Sequence, residues 1–147
     1  MYGLLLLLHS WIRWIALVAV VGTAFAAVRR QDATGERWAL IAQITLDLQM
    51  LLGLLLYLVF SPNMKEILAN VDAAMKDPVA RFWAVEHITA MMLAVVAAHV
   101  GRVLARKAKT ADLKCRRLLI AFGVALVLIM AGMPWPGRPG GRPLFRI

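Results

Sequence analysis

The chain has 147 residues, of which 62% are hydrophobic, with a mean hydropathy of +0.74 and a formal net charge of +9. That composition excludes an ordinary soluble domain, in which roughly half the residues are apolar, and the length suits four spans of about 20 residues with short connections and no sizeable soluble domain. The basic residues gather beside the apolar runs, the pattern of membrane topology and anionic headgroup contact, so lipid is an expected partner and nucleic acid is not.

The first apolar run covers about residues 4–28. It is too long for a secretory signal core, has no basic stretch before it, and is followed by Arg29-Arg30 where a small-residue cleavage site would stand, so it is read as a retained helix. The second span covers about 38–60 and stops at Ser61-Pro62, because proline cannot continue a helix. The third covers about 82–104. The fourth covers about 118–133 and ends at Pro134-Trp135-Pro136. Residues 1–133 thus form one transmembrane domain, an all-α four-helix bundle.

In the loop 61–79, Met64, Ile67, Leu68, Val71 and Met75 recur at spacings of three and four, which predicts one short amphipathic helix on the membrane surface or capping the bundle. The tail 134–147 is rich in Pro, Gly and Arg and lacks periodicity. Alone it is expected to be extended or disordered, and ordered only by a partner subunit. Trp11, Trp14, Trp38, Trp83 and Trp135 lie near span ends, as interfacial tryptophans do.

The loops at 29–37 and 102–117 carry three and seven Lys/Arg, ten in all. The opposite side carries six: Lys65, Lys76, Arg81, Arg138, Arg142 and Arg146. The positive-inside rule then places both basic loops in the cytoplasm and both termini outside; the expected location is a bacterial inner membrane with both termini in the periplasm. Cys115 is the single cysteine, so there is no intramolecular disulfide and no thiolate pair for zinc or covalent haem. It falls in the second basic loop, as an idle thiol or an acylation site.

Ionisable side chains within hydrocarbon cost roughly 2.5–3.5 kcal/mol each on insertion scales and mark candidate sites. His9 and His87 each lie about five residues into spans that enter from the same side, roughly 8 Å below the boundary. Two neutral imidazoles at one depth on facing helices are what an iron macrocycle needs. Arg13 is one turn beyond His9 on the same face and leans back toward it, with Glu86, a haem propionate, or a quinone or lipid headgroup as its expected partner. Arg81 could bind the same anion. On the second span, Asp47 near mid-membrane is a candidate proton carrier, with Gln49 beside it in a proton relay, and Asp47 can equally be a structural hydrogen-bonder. Gly53, Ala90, Ala94, Ala97 and Ala98 would let backbones or a flat ring come close.

His99 is twelve residues after His87 and about 120° around the helix. No second histidine matches its depth, and the nearest polar residue by depth is Gln43, so a second bis-histidine haem is not expected. Met91, one turn beyond His87, is either packing or a soft ligand for copper or haem.

With His9, Arg13 and the Arg81/Glu86-His87 segment set in four spans with short basic loops, the chain resembles small membrane b-type cytochromes of the cytochrome b561-like kind, and more loosely CopD-like membrane domains. It also resembles small four-helix bacterial membrane proteins of unassigned role. The cytochrome resemblance implies haem b, but the second and fourth spans lack histidines, so it implies at most one haem, held by His9 and His87. The expectation is an electron-transfer or quinone-linked subunit, with Arg13 and Arg81 neutralising propionates, Glu86 orienting an imidazole or exchanging protons, and other membrane subunits as partners. Two other classes are open: a non-enzymatic accessory or assembly subunit with a structural Arg13–Glu86 pair, and a copper-handling protein using His9, His87 and Met91.

Overall fold

A computed structural model describes residues 1–145, and its regular secondary structure is all helical, with no strand among them. Its helices are α1 (Tyr2–Val28), α2 (Asp32–Phe60), α3 (Pro62–Ala69), α4 (Val71–Lys76), α5 (Pro78–Arg106) and α6 (Ala111–Gly132). The last turn of α2, Leu56–Phe60, and the early turn Phe82–Glu86 of α5 are π-helical. Helices α1, α2, α5 and α6 are long and apolar enough to span a membrane, the make-up of a multi-pass membrane protein.

The helices outrun the apolar runs that announced them, because hydropathy marks where lipid begins while the backbone ladder continues until something stops it. The expected starts at 38, 82 and 118 lie at 32, 78 and 111. Helix α1 closes with paired bonds from Gln31 N to Ala26 O at 3.0 Å and from Arg30 N to Ala27 O at 3.1 Å. Arg30 between them is left-handed at φ 55°, the Schellman geometry that usually recruits glycine. The chain reverses within three residues, and Arg30 pairs with Asp112. At the next turn Thr110 caps α6 by accepting from Leu113 N at 3.2 Å. Ser61-Pro62 and Asp77-Pro78 open α3 and α5 alike: the side chain caps the first turn and proline supplies a preset φ.

The single amphipathic helix expected over 64–75 is two. Asn70 breaks it, capping α4 by accepting from Ala73 N at 3.1 Å. Asparagine competes for its own neighbouring backbone, a local preference that a periodicity count does not register.

Around the bundle the spans follow the order α1, α2, α5, α6, each antiparallel to the next, so α1 and α5 stand across a diagonal. The core is built of small residues, Ala16, Ala19, Ala39, Ala42, Ala94, Ala98 and Ala125, filled in by Val20, Leu118 and Phe122. Without a hydrophobic drive between spans, close van der Waals packing must hold them, and small side chains permit it. A Cβ on Gly22 would come within 2.8 Å of the Trp38 ring, and one on Gly101 would collide with Ala121. Ile15, Phe25, Ile44, Leu51, Val96, Ile120 and Val127 point outward.

Cys115 lies within α6, buried in this core and not in the loop. The start of α1, the segment 134–145, α3 and α4 share one end of the bundle, here called the terminal face. The turns at 29–31 and 107–110 make the loop face.

Candidate functional site

At the terminal face the diagonal between α1 and α5 opens into a cavity of about 150 Å³. The matched depths of His9 and His87 become a contact: the ring centroids are 6.5 Å apart, at 71° between planes. Both rings line the cavity.

His87 is held rigidly. Its Nδ1 donates to the Gly132 carbonyl at 2.8 Å, and because a carbonyl can only accept, the proton sits on Nδ1 and the lone pair on Nε2. That outer bond to a backbone carbonyl is the usual way a ligating imidazole is oriented. Gly132 is needed for the approach, since a Cβ there would stand 2.6 Å from Ala90 Cβ and 2.8 Å from Met91 Cε. Trp83 and Phe82 close around the same ring, with centroids at 5.4 and 5.9 Å.

The π-helical turn just before His87 has a partner of its own. Widening a helix to i→i+5 bonds disturbs the carbonyl register, and the Ala84 carbonyl accepts from the Tyr57 hydroxyl at 2.7 Å. Tyr57 lies in the π-helical turn of α2, so the two irregular turns are tied to each other across the cavity mouth.

His9 sits against Gly53, where a Cβ would lie 3.2 Å from its Cε1. Gln49 reaches over from α2 and donates Nε2 to the His9 carbonyl at 2.8 Å. His9 Nδ1 and Gln49 Oε1 are buried without a hydrogen-bond partner among the described residues. Buried polar atoms are nearly always paired, so two such atoms beside one cavity are what a missing polar occupant would explain.

Several expected arrangements are replaced. Arg13 and Glu86 do not pair. Glu86 accepts from Arg81 Nε at 2.9 Å, an exposed ion pair that does not line the cavity. A guanidinium five residues back along the same helix is simply nearer to Glu86 than one across the bundle. Arg13 Nη2 instead donates to the Leu144 carbonyl at 2.6 Å.

The described part of the tail packs on its own chain. Trp14 Nε1 also donates to the Leu144 carbonyl, at 3.3 Å, and the Phe145 ring stacks on Trp14 with centroids 5.2 Å apart. Arg142 lies over the Trp83 ring at 5.1 Å and lines the cavity, the position expected for Arg81. Composition gave no hint of it, because an arginine in a Pro/Gly stretch reads as solvated. Arg146, counted in the charge balance, lies outside the described residues.

The two residues of the expected relay separate. Gln49 lines the cavity, whereas Asp47 meets His99 with Oδ1 3.4 Å from Nε2, on the flank where α2 passes α5. His99 therefore has a partner that was not foreseen, and it stays apart from the His9–His87 site as the rotation argument required. Gln43 is taken by Arg102, whose Nη1 donates to its Oε1 at 2.6 Å while Nε donates to Glu36 Oε1 at 3.2 Å. Arg106 shares that oxygen at 2.8 Å. Arg102, read only as a topology charge, is thus buried and paired with Glu36, which sequence reading passed over because it lies before the apolar run.

Two imidazoles can ligate one metal. Metal–nitrogen bonds of about 2.0 Å and about 1.1 Å from each nitrogen to its ring centre would place the centroids about 6 Å apart, close to the observed 6.5 Å. No group of three or more His, Cys, Asp or Glu side chains that could hold a bare ion occurs among the described residues. A metal already held by a macrocycle would ask the protein for as few as two ligands, a number that His9 and His87 could supply. Compared with protein-family models, curated proteins and solved structures, the chain matches none.

Proposed function

We propose that the cavity holds one haem b with His9 and His87 as axial ligands, and that the protein is an electron relay in a bacterial cytoplasmic membrane. The observation that carries this reading is the approach of the two rings to 6.5 Å across the bundle diagonal, with His87 Nδ1 anchored on the Gly132 carbonyl. Bound there, haem supplies one-electron chemistry. The chain's own residues do the rest: Gly132 and the tied π-helical turns aim His87, Gln49 and Gly53 place His9, and Arg13 and Arg142 put positive charge at the mouth.

The cavity of about 150 Å³ is below the roughly 300–1,000 Å³ of typical ligand pockets. Seating a macrocycle therefore requires lining side chains to move, and Met50, Met64, Met91 and Met133 are flexible ones among them. A single haem can only pass electrons on, so the reading implies a quinone pool or neighbouring membrane subunits as donor and acceptor. The excess of Lys and Arg at the loop face supports, by the positive-inside rule, a reading in which the cavity faces the periplasm.

The test is the absorption spectrum of the detergent-purified protein after supply of haem. A reduced Soret and α-band of a bis-imidazole type, lost in both His9→Ala and His87→Ala, is expected. A folded, colourless protein refutes it. Met91 also lines the cavity, which keeps a copper site of His9, His87 and Met91 as a second reading; metal analysis showing copper without a haem spectrum would favour it. The accessory-subunit reading loses its Arg13–Glu86 pair, because Glu86 is engaged by Arg81.

A further inference from the structure

We propose that the C-terminal segment 134–145 is a strap forming one wall of the ligand site, and that Arg142 on it reads an acidic group of an amphiphilic occupant. The strap is fastened along its length. It closes on itself through Arg142 N to Pro134 O at 3.1 Å, and its end is held by Arg13 and Trp14 on the Leu144 carbonyl and by Phe145 stacked on Trp14. Between these points Gly140 takes φ +74° and passes so close to α5 that a Cβ would stand 2.6 Å from the Phe82 ring. Only glycine meets both demands at no cost.

This seating delivers Arg142 and Pro143 to the cavity. The Arg142 guanidinium lies over Trp83, and a guanidinium stacked on a ring keeps its N–H donors in its own plane, in the fork that matches a carboxylate. No Asp or Glu side chain lines the cavity among the described residues, whereas Arg142 does. A cationic group in a low-dielectric site calls for an anion. The opposite end of the cavity is apolar, with Leu17, Leu46, Val95 and Ile129. Acid at the mouth and an apolar body beneath describe the occupant. On the haem reading, on which this inference builds, the acid is a porphyrin propionate.

The test compares haem b with its dimethyl ester, and metal-free protoporphyrin IX with its dimethyl ester, binding to the purified full chain in detergent. Wild type is set beside Arg142→Gln, Arg142→Lys and Gly140→Ala, with helical circular dichroism as the folding control. The free acids are expected to bind at least tenfold more tightly than the diesters in wild type. The gap should close in Arg142→Gln and Gly140→Ala and persist in part in Arg142→Lys. Equal affinity of acid and ester in wild type, or a full gap in Arg142→Gln, overturns the assignment. A bis-imidazole spectrum formed equally by haem and its ester overturns the strap's role alone. Acid-selective porphyrin binding without histidine ligation overturns the haem reading alone, and no binding by any porphyrin overturns both.

Discussion

Gly132→Ala tests how His87 is held. The added methyl would stand 2.6 Å from Ala90 Cβ, where carbon atoms prefer about 3.5–4.0 Å. Met91 Cε, at 2.8 Å, ends a flexible chain and can swing away, but Ala90 Cβ is fixed to the α5 backbone. The end of α6 must therefore retreat from α5 by about 1 Å, an overpacking cost of about 1–3 kcal/mol. Alanine's better helix propensity returns less than about 1 kcal/mol at this terminal position. The same retreat stretches the 2.8 Å bond from His87 Nδ1 to the Gly132 carbonyl. The assay is unfolding in mixed micelles of mild detergent and dodecyl sulphate for wild type, Gly132→Ala, Ala90→Gly and the double variant. Removing Ala90 Cβ opens the space the new methyl needs, so the cycle should show a favourable coupling of about 1 kcal/mol or more. A Gly132→Ala protein as stable as wild type, or additivity in the cycle, refutes the close-approach argument.

Tyr57→Phe removes the donor to the Ala84 carbonyl and should cost about 1–2 kcal/mol, the price of one unsatisfied buried acceptor. Because that carbonyl lies in the turn before His87, any haem spectrum should broaden as well; an unchanged melting curve and spectrum would count against the tie. Glu36→Ala leaves Arg102, with its side chain 8% exposed, facing only Gln43. A loss of about 3–5 kcal/mol is expected in the same micelle assay, with Glu36→Gln well below it, and a neutral result would show that the cluster is hydrated. His99→Ala should leave a His9/His87 haem spectrum unmoved, since His99 and Asp47 do not line the cavity; loss of the α-band would place His99 in the site. In a Cys115→Ser background, Arg138→Cys should react with an impermeant maleimide on whole cells and Lys109→Cys should not. The reverse pattern would invert the topology.

Four spans, two basic turns and the shared depth of His9 and His87 were readable from residue order alone. Apolar runs of about 20 residues and charge asymmetry are local properties, and helical rise converts position into depth. Helix ends were less legible, because Thr110, Asn70 and Asp77 stop or start helices through bonds to neighbouring backbone that hydropathy does not measure. Partner choice was not legible at all. Whether Arg13 meets Glu86 or the Leu144 carbonyl depends on where residues 131 positions apart come to rest. The same holds for His99 with Asp47 and for Arg142 beside Trp83. Depth follows from counting along one helix, whereas facing requires the rotation and order of all four. Only packing sets those, through small residues such as Gly101 against Ala121 and Gly132 against Ala90 that decide which helices come close.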